Sequence, residues 1–204
     1  MASNRWMIFF RMGMLRIVLN TLIGYGFSKI RQFEMQGNIP MDYYFCSMHI
    51  HLCCIGKTDN ASLRDLIDTY SKRLPHYTKF SWDILPDLKN RKSLSIAQQK
   101  EKEGQCFLNH IPPKEMIVLL DEKGKTMGSE AFADFLEKKQ VSGIKKVWFL
   151  IGGPYGFSAN MYDRANQKIA FSAMTFSHQM IRLLLVEQLY RAFTILNNEP
   201  YHHR

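Results

Sequence analysis

Lys146-Val-Trp-Phe-Leu-Ile-Gly-Gly-Pro-Tyr-Gly-Phe-Ser158 decides the fold. Lys146 opens a strand whose next five residues form an apolar run without polar alternation, the pattern of a strand covered on both faces of a parallel sheet. Gly152, Gly153 and Gly156 follow at once, so the backbone turns sharply and can approach a ligand closely. A short helix is expected from Ser158 to Asn166. Pro154 and Tyr155 break the GxGxxG spacing of a dinucleotide loop, and no Lys-Ser/Thr follows Gly156 as in a P-loop. The same run also fits a plain strand-to-helix turn.

Working outward, strands and helices alternate. Upstream, residues 48–55 read as a short apolar strand. A helix follows from Asn60 to about Arg73, with Asn60 or Ser62 as cap and Leu63, Leu66, Ile67 and Tyr70 on one face. Lys79–Leu85 is a second strand, Ile96–Asn109 a helix, and Met116–Leu120 a third strand closed by Asp121-Glu-Lys-Gly124. Ser129–Lys139 is an amphipathic helix with Phe132, Phe135 and Leu136 inward. Downstream, Lys168–Met174 reads as a fifth strand, and Thr175 or Ser177 caps a long last helix to about Asn197. Strand and helix in alternation imply an α/β fold with a parallel sheet. Ligands bind such sheets at the carboxyl ends of the strands, here Leu120, Ile151 and Met174. The last helix carries apolar residues on more than one face, which suits burial against the sheet and against a partner subunit.

Composition fits this. The chain has 204 residues, 46% hydrophobic and 22% charged. That excludes a disordered or low-complexity chain and suits one domain with an appendage. The formal net charge of +9 favours a polyanionic partner such as nucleic acid. Residues 1–47 differ from the rest. They hold nine of the 26 aromatics and six of the 12 methionines without a periodic pattern. Arg11 and Arg16 interrupt the apolar stretch Met7–Ile23, which argues against a membrane span or secretory signal. We expect an atypical extension over residues 1–47, a start assigned too far upstream or a disordered segment, and a working domain over 48–204. The cysteines lack metal-ligand spacing, so no metal is expected, and a reducing cytoplasm fits. Cys53 and Cys54 should point to opposite faces of the first strand.

Phe171-Ser-Ala-Met-Thr-Phe-Ser-His178 is the second informative stretch. Small and hydroxyl residues at a helix start leave N–H groups free. His178 and Arg182, four residues apart, share a face and form a positive pair suited to an anion, or an ordinary cap with a solvated Arg. In the tail, Tyr201 and His202 can stack on a base and bond its edge.

Together these motifs resemble the SPOUT-class ribosomal RNA large subunit methyltransferase H family. Val-Leu-Leu120-Asp-Glu-Lys-Gly, Ile-Gly152-Gly-Pro-Tyr-Gly, Phe171-Ser-Ala-Met-Thr-Phe-Ser-His-Gln-Met-Ile-Arg182, Val-Glu-Gln-Leu-Tyr-Arg191-Ala and Pro-Tyr201-His202 occur in order, and Lys-Glu-Lys-Glu103-Gly104 also fits. The resemblance spans about Met48 to Arg204. It implies a C-terminal trefoil knot, a homodimer with the active site near the subunit interface, and S-adenosylmethionine-dependent methylation of N3 of a pseudouridine in 23S rRNA within the ribosome. By motif, the donor contacts are Leu120, Gly152, Phe171, Ser172, Ala173, Met174, Thr175 and Phe176. The catalytic set is His178, Arg182, Tyr201 and His202. Arg182 would stabilise the anionic base or a phosphate, His202 would take the proton, and Tyr201 would orient the base. A non-catalytic ribosome assembly factor and a tRNA-directed SPOUT enzyme are the alternatives.

Overall fold

A computed structural model describes residues 48–202. The expectations for residues 1–47 lie outside the described residues. Five strands form one sheet in the order β2-β1-β4-β3-β5, all parallel. They are β1 (His49–Ile55), β2 (Lys79–Leu85), β3 (Met116–Thr126), β4 (Lys146–Ile151) and β5 (Gln167–Ala170). The helices are α1 (Ala61–Ser71), α2 (Ile96–His110), α3 (Ser129–Val141), α4 (Ala159–Arg164) and α5 (Met180–Leu196).

Both faces of the sheet are covered, as the apolar strands required. On one face Ile50, Leu52, Val118 and Phe149 pack with Ile67 of α1, Phe132 and Leu136 of α3, and Leu185 and Leu189 of α5. On the other, Ile117, Leu119, Trp148 and Leu150 pack with Phe107 of α2 and Met161 of α4. Cys54 belongs to the first layer and Cys53 to the second, the alternation that a strand imposes on neighbours.

The caps are local and legible. Asn60 Oδ1 accepts from the Leu63 N–H at 2.9 Å. Ser95 and Gln98 form a reciprocal capping box at the start of α2. Ser177 Oγ accepts from the Met180 N–H at 3.1 Å, so Ser177 rather than Thr175 caps α5.

Three expectations need correction. Leu66 does not face the core but is 49% exposed, because Leu63, Ile67 and Tyr70 already fill the buried stripe of α1. The third strand does not close at Asp121–Gly124. Its register shifts between Leu120 and Lys125, and pairing with β5 resumes at Lys125↔Ile169 and Thr126↔Ala170. Gly124 makes this possible, since a Cβ there would lie 2.6 Å from the Ile169 backbone. The fifth strand ends at Ala170 rather than Met174, because β3, its only neighbour among the described residues, ends opposite it. Residues 171–176 therefore leave the sheet as a loop.

Candidate active site

The carboxyl ends of β3, β4 and β5 converge. Leu120 pairs with Ile151, the end of β4, on one side and with Ile169 of β5 on the other, and β3 then bulges before it ends opposite Ala170. Above them opens a cleft of about 490 Å³, within the usual size of small-molecule sites. Leu120, Gly152, Phe171, Ser172, Met174, Thr175 and Phe176 all line it. Of the eight residues predicted to contact the donor, Ala173 alone stands outside the wall, exposed to solvent.

The glycine turn shapes one side. Gly156 adopts φ +76°, a left-handed conformation that favours glycine. A Cβ on Gly152 would lie 3.1 Å from the Gly156 carbonyl oxygen, so the wall here is bare backbone. The opposite side is the 171–176 loop, whose backbone belongs to neither helix nor sheet. Apolar side chains on the floor and uncommitted backbone around the rim suit a flat heteroaromatic ring with a polar edge.

Charges in the cleft are partly spent. Tyr162 donates its hydroxyl to Asp121 Oδ2 at 2.5 Å, and Asp121 Oδ1 accepts from the Lys123 N–H. Burial first, and the Asp121 bond second, push the Tyr162 hydroxyl up to about 12. Met174 is 73% exposed and Phe176 43%, leaving an apolar lip at the mouth.

His178 lines the cleft directly after the Ser177 cap, at the entrance of α5. Burial, then the charges of Arg182 and Arg91, hold its imidazole below the ordinary value of 6.5. It is therefore a neutral donor or acceptor near pH 7.

Arg182 lies elsewhere than the sequence reading put it. Its side chain is fully buried. Its guanidinium donates to the carbonyls of Ile55 (2.7 Å), Gly56 (2.9 Å) and His178 (3.2 Å) and to Thr58 Oγ1 (3.0 Å). It ties the turn after β1 to the start of α5 instead of offering a free charge to an anion.

Tyr201 and His202 are not beside His178. The tail folds back along α5 as far as Glu187, which is still nine residues, roughly 13 Å of helix, beyond His178. Tyr201 packs edge-on against Tyr190 with ring centres 4.8 Å apart. Its hydroxyl donates to Glu187 Oε1 at 3.1 Å and meets the Tyr70 hydroxyl at 3.3 Å. Glu187 also accepts from Arg191, whose guanidinium lies over the Tyr201 ring. His202 Nδ1 sits 3.5 Å from Arg191. One chain thus brings together the cleft and His178, and holds the tail apart from them.

Sequence reasoning missed Glu103. It is 2% exposed, with Oε1 accepting from Gln99 at 2.8 Å and no hydrogen-bond partner for Oε2. Burial raises its carboxyl above 4.5, offset by Gln99 and the Gly153 N–H. Its proximity to the Gly152–Gly156 turn has no sequence signal, though the Gln99–Glu103 spacing of one helical turn was visible. Among the described residues no group of three or more His, Cys, Asp or Glu side chains could hold a metal ion. Nor is any helix there long and apolar enough to cross a membrane.

Fold and cleft define a class: an α/β protein with a parallel sheet and a cleft of small-molecule size at its strand ends. Comparison with known proteins sharpens this. The family described as "Predicted SPOUT methyltransferase" matches residues 48–202, and the chain belongs to it. Ribosomal RNA large subunit methyltransferase H of Flavobacterium psychrophilum is 59% identical over 157 residues, 77% of this chain and 100% of that one. Proteins of the same name from Flavobacterium johnsoniae and Christiangramia forsetii are 57% and 56% identical over the same lengths. The chain is thus a SPOUT-family methyltransferase whose curated relatives are named for ribosomal RNA.

Proposed function

We propose that this protein methylates N3 of a pseudouridine in 23S rRNA of the ribosomal large subunit, using S-adenosylmethionine, as a cytoplasmic homodimer. The observation that carries the reading is the cleft: seven of the eight donor contacts implied by the motifs line one cavity. The names of the relatives, at more than half identity over their whole length, support the RNA substrate. The knotted threading of the C-terminal part belongs to the same proposal.

The cleft fits the donor chemically. Leu120, Ile151 and Phe171 supply apolar floor for a purine, and the 171–176 backbone supplies hydrogen-bonding groups for its edge. S-adenosylmethionine, when bound, contributes an electrophilic methyl group on a sulfonium.

The protein's residues would do the rest. His178, neutral near pH 7, stands at the cleft and can orient the incoming base. Arg182 acts through the backbone it holds, fixing His178 and the turn after β1. The nitrogen to be methylated carries a proton that must leave, and His202 is our choice of acceptor, with Tyr201 orienting the base. Their distance from His178 along α5 requires a second copy, antiparallel along that helix, to carry its tail to the cleft. Leu184 and Met180 suit this contact. Leu184 packs in neither core layer, and Met180 is 42% exposed. Holding base and methyl group in line in a dry site lowers much of the barrier.

Labelled methyl transfer to purified ribosomal subunits, followed by mapping of the modified nucleoside, tests the reading. Label on the small subunit, on tRNA or nowhere would refute it.

A further inference from the structure

The turn after β4 carries an aromatic ring that the proposed donor contacts leave unused. Gly153 and Gly156 close this turn as an antiparallel bridge, and the Gly156 N–H donates to the Gly153 carbonyl at 3.1 Å. Pro154 and Tyr155 are its two central residues. Proline fixes φ at the first of them, so the tip is stiff. The base of the turn is packed as firmly. A Cβ on Gly153 would lie 2.5 Å from a carboxylate oxygen of Glu103, and the Gly153 N–H favours the charge on that buried group.

Tyr155 stands on this tip, 49% exposed. It has no ring, cation or hydrogen-bond partner among the described residues. Every other tyrosine there packs against a second ring. Its surroundings are the mouths of two cavities. Tyr155 lines the cleft at the strand ends, and Pro154 lines both that cleft and a second cavity of about 390 Å³ over the carboxyl end of β1.

Positive charge flanks the turn on both sides. Lys100 and Lys123 line the first cavity, Lys57 and Arg91 the second. Arg91 is paired with Asp87, but the three lysines form no ion pair among the described residues. The acidic side chains nearby are mostly committed, Asp121 to Tyr162 and Asp59 to Gln179. Free ammonium groups around an exposed ring suit a nucleic-acid strand, whose phosphates take the charge and whose bases take the ring.

The reaction calls for such a ring. A base that is to be modified must leave its stack to meet a donor held in a cleft. Its neighbour in the strand then loses a stacking partner. A flat ring fixed at the entrance can take that place, and every base offers a face to it. Tyr155 suits this neighbour better than the donor's purine. Leu120, Ile151 and Phe171 lie deeper in the cleft and supply the apolar floor there, whereas half of Tyr155 meets solvent.

We propose that Tyr155 is a stacking platform for the nucleobase next to the one that is methylated, and so a positioning residue for the RNA strand. This rests on the reading of the protein as a methyltransferase of ribosomal RNA.

The test compares methylation of purified large subunits by variants of the full chain. Tyr155→Ala should lower kcat/KM for the subunits about five- to a hundredfold, the usual worth of one base–aromatic stack. Tyr155→Phe and Tyr155→Trp keep a flat ring and should stay close to wild type. Tyr155→Leu keeps apolar bulk without a ring and should fall with the alanine variant. S-adenosylmethionine affinity by calorimetry and the oligomeric state should be those of wild type in all four. Unchanged turnover in Tyr155→Ala overturns the inference. Equal activity of the leucine and phenylalanine variants overturns it too, since apolar contact would then suffice. Weakened donor binding or an altered oligomeric state in Tyr155→Ala also overturns it, because the ring would then serve the donor or a second copy. A wild-type protein that binds S-adenosylmethionine but methylates no large subunit refutes the parent reading, and the inference falls with it.

Discussion

Replacing Arg182 by Met separates two roles for this side chain. The guanidinium makes four hydrogen bonds, three to backbone carbonyls and one to Thr58. Bonds to a charged donor contribute roughly 1.5–3 kcal/mol each when taken singly. They share one group and are not additive, so we expect a total near 3–5 kcal/mol, the cost of removing one partner from a buried charged network. Met fills most of the volume, so cavity terms stay small. For a domain of this size each kcal/mol lowers Tm by about 2–4 °C. Arg182→Met should therefore melt roughly 10 °C below wild type. The turn after β1 and His178 should loosen together, and methylation should fall as a consequence. Thermal and urea denaturation read the stability, and calorimetry reads donor affinity. If Arg182→Met melts within 1 °C of wild type yet loses methylation, the structural account is refuted, and Arg182 acts directly on base or phosphate as the sequence alone suggested.

Four further outcomes are expected. Gly152→Val should weaken S-adenosylmethionine binding at least tenfold, since even a Cβ there meets the Gly156 carbonyl at 3.1 Å; unchanged affinity in calorimetry would remove Gly152 from the pocket. Deleting Tyr201–Arg204 should abolish methyl transfer while donor binding survives, and normal turnover would end the tail's role. Glu187→Ala removes the acceptor of Tyr201 and Arg191, so carboxypeptidase should trim the tail faster than in wild type, with donor affinity unaltered. Stability should fall as pH drops from 7.5 to 6. His49, His51 and His178 are all held below 6.5, with burial the first cause in each. The unfolded chain then binds more protons across that window and gains on the folded one. Urea midpoints against pH measure this, and His51→Gln should flatten the fall.

The alternation of apolar strands and amphipathic helices carried most of the fold, because a two-faced sheet demands apolar strands and short caps that sequence displays. β2 and β4 were found to the residue. The failures came where a strand's extent depended on its neighbour. β5 stops when β3 stops, and β3 resumes after a shift that only contact with β5 stabilises. The position of the cleft that we propose for the donor was largely legible, since strand ends and glycine turns mark such sites. Glu103 was not, because nothing local relates a helical glutamate to a turn 50 residues on.

The sequence by itself determined the order of elements, their caps, the glycine turn and the motif set that marks the family. Each depends on residues close along the chain or on a pattern carried in linear order. Tertiary structure alone decided where Arg182 and the tail sit. The partners of Arg182 on the turn after β1 lie 124–127 residues away, and burial turned a free cation into a clasp. Tyr201 follows α5 closely in sequence, yet it folds back only as far as Glu187 and stays short of His178, so completing the site falls to a second chain in our proposal.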